Sequence, residues 1–447
     1  MEIKFKNGEG MTNKKDQFSL ECENVSIAVV GGGYVGLVSS ACFAELGHNV
    51  TIIEIEKSKV EAINSGKPPI YEKGLDDLLH KHVGRNLIAS SDYDGISDAD
   101  LSFICVGTPS RPDGNADLSM IESASKSIGE HLRKGDGYHV VVVKSTVPPG
   151  TTKNLVMPAV LNNAVGISRD IGFAMNPEFL REGVAVQDFM HPDRIVIGSS
   201  DGKAGDLVES VYNGLNSHVL RIGISAAEMV KHASNALLAT KISFANEIGN
   251  ICKGIGVDVY EVMRGVGLDH RISPHFLDAG AGFGGSCFPK DVLALVRLGE
   301  TLGEDPILLK SVIEVNERQP KKMVHLLSKR VGDLRGKEVA VLGLAFKGDT
   351  DDVRESRALN VIMDLKNRGV IVRAYDPVAI PKMREVIPDI KYCRSTAEAL
   401  KDCDACLIMT EWPEFGILDD EFDLMKSRVI IEGRKVLSCK GIEGICW

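Results

Sequence analysis

The 447-residue chain has no apolar run near the roughly 18 residues that a membrane-crossing helix requires, so a helical span is not expected. It has no basic run either. Lys and Arg number 52 against 62 Asp and Glu, for a formal net charge of −10. A surface that tracks a phosphate backbone is therefore not expected, and neither nucleic acid nor membrane is an expected partner. The ten cysteines follow neither metal-ligand spacing nor a disulfide framework, and no metal is expected. Cys403 and Cys406 are spaced as CxxC, but "DCDACLIMT" reads as a turn feeding a buried strand. The first 24 residues, "MEIKFKNGEGMTNKKDQFSLECEN", lack the apolar centre of a secretory signal and read as a polar leader. No short tandem repeat is visible. These absences suggest a soluble protein of a reducing cytoplasm.

What is present is a two-part α/β rhythm. "VSIAVVG" reads as an apolar strand, "YVGLVSSACFAELG" has helical spacing and "NVTIIEI" reads as a second strand. "ADLSFICVGTP" and "HVVVVKSTVPPG" follow, and alternation of this kind predicts parallel βαβ units. From about residue 225 the pattern turns helical, with "AAEMVKHASNALLATKISFANEIGNICKGIG" long and nearly free of breakers. The α/β rhythm returns in "KEVAVLGLAFKG", "RALNVIMDLKNRG", "IVRAYDP", "DACLIMTEW" and "RVIIEGRK". The expected architecture is α/β: two Rossmann-like domains with parallel sheets joined by a long-helix central region. The expected boundaries are 25–222, 223–325 and 326–447.

"GGGYVG" places Gly31, Gly33 and Gly36 in GxGxxG spacing, after a strand and at the start of a helix. Glu54 ends the second strand about 20 positions on, as a dinucleotide fingerprint requires. Gly31 makes the turn, Gly33 admits a pyrophosphate to the backbone, and Gly36 lets helix and strand pack closely. The helix N-terminus then faces the phosphates. Glu54 can accept both ribose hydroxyls and would repel a 2′-phosphate, which favours NAD over NADP. An FAD fingerprint, or a glycine turn without a ligand, would look similar.

"GAGFGGSCFPKD" surrounds Cys287 with glycines. A buried thiol in a tight turn is one reading; a nucleophile that a bulky substrate must approach is the other. Lys231 and Asn235 lie four apart, on one helix face. "NPEFLREG" carries Glu178 and Glu182, and Thr146 in "KSTVPPGTT" follows an apolar strand, where open α/β sheets place ligands. Taken singly, Lys231 and Glu182 also read as solvated charges and Thr146 as a strand-end cap.

Together with "PIYEKGLDDLL", "VGTP", "DGNADLS", "HPDRIVIG", "VIEVNERQ", "GLAFKGDTDDVRES", "YDP" and "TEWPEF", these segments resemble the UDP-glucose/GDP-mannose dehydrogenase family from about Val25 to Val436. The resemblance implies NAD-dependent oxidation of a sugar-nucleotide primary alcohol to a carboxylate, with two NAD per sugar. It implies an assembly of at least two copies. UDP-glucose is the expected substrate, from the "SCFPKD" and "HPDRIVIG" forms; GDP-mannose or another nucleotide sugar is the alternative. A non-catalytic NAD-binding regulatory protein is the alternative from another class.

The resemblance also implies roles. Cys287 corresponds to the nucleophile, Asp291 to the carboxylate of the same motif, and Lys231 and Asn235 to the pair polarising the reacting oxygen. Thr146 corresponds to a holder of catalytic water, Glu178 to a group acting in thioester hydrolysis and Glu182 to a supporting carboxylate. Cofactor contacts are expected from Tyr34, Val35, Lys59, Val106, Gly107, Thr108, Thr146, Glu182, Lys290 and Arg354. Sugar and nucleotide contacts are expected from Phe179, Leu180, Phe276, Phe283, Gly284, Phe346, Lys347 and Arg434, with Arg271 reaching a neighbouring subunit. The chain departs from the family pattern at Ser273, where glycine is expected, at Glu432, where aspartate is usual, and at Lys435, where asparagine is common.

These groups suit a four-electron oxidation. An aldehyde is a poor hydride donor until a nucleophile adds to it. A thiolate does so, giving a thiohemiacetal and then a thioester that water cleaves. Lys231 and Asn235 can stabilise the oxyanion. A base must take the alcohol proton, through water held by Thr146 and Asp291.

Overall fold

The structure, a computed structural model, describes residues 24–132, 137–164, 166, 170–439 and 441–447. The polar leader lies outside them except for Asn24.

Two sheets organise the chain. The first holds β1 (Ser26–Val30), β2 (Asn49–Ile53), β3 (Leu87–Ser90), β4 (Leu101–Ile104), β5 (Tyr138–Val143), β6 (Asp170–Met175), β7 (Arg194–Ser199) and β8 (His218–Ile222). Its spatial order is β3-β2-β1-β4-β5-β6-β7-β8. The second holds β9 (Glu338–Leu342), β10 (Ile371–Tyr375), β11 (Lys391–Tyr392), β12 (Ala405–Ile408), β13 (Ile430–Glu432) and β14 (Ile442–Gly444), in the order β11-β10-β9-β12-β13-β14. Helices cover both faces of the first sheet, so its central strands are buried on both sides and read as continuous apolar runs. The second sheet has the same organisation, with its core divided between two clusters.

One pairing departs from the all-parallel expectation: β7 runs antiparallel to β6. Between them the chain forms the "NPEFLREG" loop and a short helix (Ala185–Met190). That segment stays at the carboxyl edge, where Glu72 accepts from the Gly183 and Ala185 amides at 2.7 and 2.8 Å. The chain therefore re-enters the sheet from the same edge, without the crossover a parallel neighbour needs.

A 32-residue helix (Ile224–Ile255) leaves β8 and links the two sheets. Its buried positions, Ala227, Lys231, Asn235, Ala239 and Ser243 among them, recur every three or four residues and form one face. Gly256, with φ +73°, ends it in the left-handed conformation that glycine adopts without penalty. At about 1.5 Å per residue the helix is about 48 Å long, and it packs beside the helices Phe288–Thr301 and Ile307–Val331.

Among the described residues, no helix is long and apolar enough to cross a membrane.

Candidate active site

The carboxyl ends of the parallel strands lie on one edge, and the chain places its chemistry there. Gly31 follows β1, Glu54 follows β2, Val106 follows β4, Thr146 follows β5 and Glu178 follows β6. Two other segments complete the site: the face of the long helix bearing Lys231 and Asn235, and the cysteine loop.

That loop is held from both sides. Asn316, on the helix Ile307–Val331, accepts from the Phe283 amide at 2.7 Å and donates to the Phe283 carbonyl at 3.0 Å. Gly285 N donates to Arg354 O at 3.1 Å. The glycines are needed for close approach. A Cβ on Gly284 would lie 2.2 Å from Glu355 O, and one on Gly285 would lie 2.7 Å from the Phe346 ring. The backbone of the cysteine loop is thus pressed against the connection after β9.

Cys287 is the N-cap of the helix Phe288–Thr301. Its half-buried thiol is pushed up by burial; the Lys231 ammonium opposes this, while Glu178 and Asp291 add to it. The helix N-terminus and the ammonium both favour the thiolate when it forms. Lys231 Nζ lies 2.9 Å from Glu178 Oε1. Burial alone would depress this ammonium, but Glu178, Cys287 and Asp291 outweigh it and raise its proton affinity. Asn235 donates to Asp291 Oδ2 at 2.7 Å, and Lys290 Nζ lies 2.5 Å from Asp291 Oδ1. Between Thr146 and Asp291 is a cavity of about 10 Å³, also lined by Thr108, His232 and Lys290. That is at the lower limit for one water molecule. The structure therefore brings Cys287, Lys231, Asn235, Asp291, Thr146 and Glu178 together.

Glu182 approaches the thiol through Ser286. Ser286 Oγ is 3.1 Å from Glu182 Oε1. Burial, and then the facing carboxylate of Asp352, push Glu182 up to about 7, while Arg354, 3.5 Å away, opposes them. Lys347, on the same connection, is held below its ordinary range by burial, with Glu182 opposing.

The other expected residues divide. Phe179 is capped by the Arg194 guanidinium at 3.9 Å and has Lys231 Nζ 5.4 Å from its ring centre. Leu180 N donates to Glu178 Oε2 at 2.6 Å. Arg434 donates to Gly282 O at 2.7 Å, so it reaches the cysteine loop beside the substituted Lys435. Phe276 and Phe283 flank Phe288, with ring centres 6.4 and 6.0 Å away. Thr108 Oγ1 donates to Thr146 O at 2.9 Å, and Ser145 Oγ to Val106 O at 2.7 Å, tying the Gly107 turn to the Thr146 loop. The Tyr34 hydroxyl meets Glu72 and accepts from Gly183 N at 2.9 Å. Lys59 pairs with Glu56 at 2.7 Å on the surface, and Arg271 is exposed and engaged with Asp269.

Three supporting groups were not singled out in the sequence. Glu228, fully buried, accepts from the Gly150 and Thr152 amides at 2.5 and 2.8 Å and anchors the Thr146 loop. His232 lies 3.0 Å from Val147 O and 3.3 Å from Asp291 O, between that loop and the cysteine helix. Both are within four positions of Lys231 on one helix, the one signal that could have found them. Ser286 directly precedes Cys287. Ser273 has φ +70°, so the serine adopts the left-handed conformation for which glycine was expected. Glu432 is buried and accepts from the Val436 and Leu437 amides, closing the turn after β13.

Comparison with known proteins bears on this geometry. Residues 25–216 match the NAD binding domain, residues 225–318 the central domain and residues 340–439 the UDP binding domain of the UDP-glucose/GDP-mannose dehydrogenase family. The chain belongs to this family. It is 47% identical over 422 residues to the UDP-glucose 6-dehydrogenase of Haloferax volcanii, covering 93% of this chain and 97% of that one. The UDP-glucose dehydrogenase structure from Pyrobaculum islandicum superposes with a TM-score of 0.91 at 43% identity, covering 98% of this chain and all of that one. The UDP-D-ManNAc dehydrogenase of Pyrococcus horikoshii superposes at 0.83 with 29% identity, covering 94% and 98%.

As a member of the UDP-glucose/GDP-mannose dehydrogenase family, the chain is an NAD-dependent dehydrogenase. Its glycine loop fits the cofactor. A Cβ on Gly33 would meet nothing within 4 Å, leaving open space where a pyrophosphate approaches. No side chain caps the helix Tyr34–Glu45, so its N-terminus is available to an anion. A Cβ on Gly36 would lie 1.9 Å from Gly31 O, which accounts for the third glycine. Glu54 is buried at the end of β2 and accepts from Gly32 N at 2.9 Å, beside the same loop.

Proposed function

We propose that this family member oxidises the primary alcohol of UDP-glucose to a carboxylate, giving UDP-glucuronate at a cost of two NAD per sugar. The observation that carries the reading is the convergence on one half-buried thiol, Cys287, of a buried ammonium, an amide and two carboxylates from three separate segments. The relatives named for UDP-glucose, at 47% and 43% identity against 29% for the UDP-D-ManNAc dehydrogenase, support the choice of sugar nucleotide.

Bound NAD supplies the hydride acceptor. The chain's own residues manage protons and charge. Asp291, with water in the cavity it shares with Thr146, takes the alcohol proton. Lys231 and Asn235 stabilise the alkoxide and then the tetrahedral oxyanion; one such donor is typically worth about 2.7–4 kcal/mol. The Cys287 thiolate adds to the aldehyde carbon, the thiohemiacetal gives up the second hydride, and a thioester remains. Glu178 activates water for its cleavage. Phe346, Lys347 and Arg434 hold the nucleotide-sugar side from the second sheet.

Two copies complete the assembly. Leu237, Phe244 and Ile251 recur every seven residues on the long helix and are all exposed, which suits pairing with a second copy. Arg271 would then reach the partner's sugar. The nine described cysteines are all free thiols, in keeping with a reducing cytoplasm.

The test is a panel of nucleotide sugars assayed with the purified protein, with NADH counted per sugar. UDP-glucose should give the highest kcat/KM and two NADH, and Cys287→Ala should abolish turnover. Faster turnover of GDP-mannose, or a near-normal Cys287→Ala enzyme, would overturn the reading. Light scattering at assay concentration checks the assembly, and a fully active monomer would refute it.

A further inference from the structure

Activation of Cys287 is a separate problem from its attack. Its thiol is disfavoured as an anion by burial, so the proton needs a defined acceptor. Two carboxylates whose charge acts on the thiol, Glu178 and Asp291, serve the other proton transfers and are each held by donors on both oxygens. Glu178 faces Lys231 on one oxygen and the Leu180 amide on the other. Asp291 faces Lys290 on one oxygen and Asn235 on the other. Ser286 offers a different path. Ser286 Oγ lies 3.6 Å from Cys287 Sγ and 3.1 Å from Glu182 Oε1. A hydroxyl accepts and donates at once, so it can receive the S–H proton while passing its own to the carboxylate.

We propose that Ser286 relays the Cys287 thiol proton to Glu182, and that Asp352 and Arg354, supplied by the connection after β9, hold Glu182 ready to receive it. The proposal rests on the reading of Cys287 as the nucleophile. The step balances without a co-reactant. The Sγ–H bond breaks and its electron pair stays on sulfur. Ser286 Oγ takes that proton as its own O–H proton moves to Glu182 Oε1. The site's net charge is unchanged: a thiolate appears beside Lys231 as a carboxylate is neutralised. When the thioester is cleaved, the departing thiolate recovers the proton by the same path.

The surroundings of Glu182 suit this task. Its carboxyl is hydrogen-bonded to Asp352, and two carboxyl groups in contact favour holding one proton between them. Arg354 Nη2, 2.6 Å from Asp352 Oδ2 and 3.5 Å from Glu182 Oε1, keeps the remaining charge compensated. Lys347, on the same connection, also feels the charge of Glu182. Burial and Asp352 raise the proton affinity of Glu182 toward that of a neutral-pH base. The acceptor is assembled from both sheet domains, so the thiol is fully activated only when they are in contact, as they are where Arg354 Nη2 lies 3.5 Å from Glu182 Oε1.

Rapid-mixing measurement of NADH formation from UDP-glucose 6-aldehyde and NAD across a pH series, which isolates the step that needs the Cys287 thiolate, tests the relay. Ser286→Ala and Glu182→Gln should each slow that step at least about tenfold near neutral pH. The double variant should behave like either single one. Ser286→Thr, which keeps a hydroxyl, should stay within about threefold of the wild type. Glu182→Gln is nearly isosteric and carries the test if Ser286→Ala does not fold. A Ser286→Ala rate profile that superimposes on the wild type overturns the relay, as does slowing in only one of the two single variants. If complete alkylation of Cys287 leaves turnover intact, the nucleophile reading itself has failed, which is a distinguishable result.

Discussion

Lys231 Nζ lies 2.9 Å from Glu178 Oε1, and the two side chains are only 4% and 7% exposed. A buried ion pair of this kind is a precarious contact, because each charge depends on the other for the solvation it has lost. It couples the long helix to the loop after β6, so it contributes both to folding and to the chemistry at Cys287.

The two contributions can be separated. Lys231→Met should destabilise the protein by about 3–5 kcal/mol, because Glu178 is left buried without its cation. It should also lower turnover by about two to three orders of magnitude through loss of the oxyanion partner. Adding Glu178→Gln should restore most of the stability and none of the turnover. Urea unfolding and NADH production, measured on the same three variants, check this; recovery of both together would mean that Lys231 acts only through folding.

The glycine loop offers a second separation. Gly33 has φ −73° and open space around it, so Gly33→Ala should leave the melting temperature within about 1 °C of the wild type. It should nevertheless weaken NAD binding more than about tenfold, since the methyl group occupies the path of the pyrophosphate. Gly36→Ala should instead destabilise the fold by about 1–3 kcal/mol, because its Cβ would collide with Gly31 O. Calorimetric titration with NAD, beside thermal melts, distinguishes the two. Equal loss of stability in both variants would contradict the geometry.

Stability should also report on Glu182. Its proton affinity rises on folding, from the ordinary 4.5 to about 7, so the folded state binds a proton that the unfolded chain has released. Stability from this group is therefore fully present below the unfolded value and declines as pH rises toward the folded one. Asp352 is shifted downward and acts in the opposite sense, in a lower window, below its ordinary 3.8. Glu182→Gln removes the first effect. The melting temperature of the variant relative to the wild type should therefore increase between about pH 5 and pH 8. Scanning fluorimetry across that range checks it, and a difference that stays constant with pH would refute the assignment.

Much of this protein was legible along the chain, because local rules govern those parts. The glycine spacing, the acidic residue after β2 and the apolar strands each follow from backbone sterics and short-range packing, and they indicated the first sheet and its cofactor loop. The motif around Cys287 could be read because close backbone approach demands glycine wherever it occurs. Ser273 shows the limit of that logic: its substitution is visible in the sequence, but only the structure shows that the serine accepts the left-handed turn. The antiparallel return of β7 was likewise hidden, since an apolar strand looks the same in either direction.

Side-chain encounters between distant segments were decided by the tertiary structure alone. Ser286, Glu182 and Asp352 come from three connections, and Glu228 and His232 were ordinary helix residues until the Thr146 loop and the cysteine helix packed against them. Sequence specifies which groups a segment carries, through local conformational preference and the periodicity of its apolar face. Which of those groups share a few cubic ångströms, and which protonation states they then favour, depends on how whole elements pack and exclude water, because burial and mutual distance together set the energy of a charge.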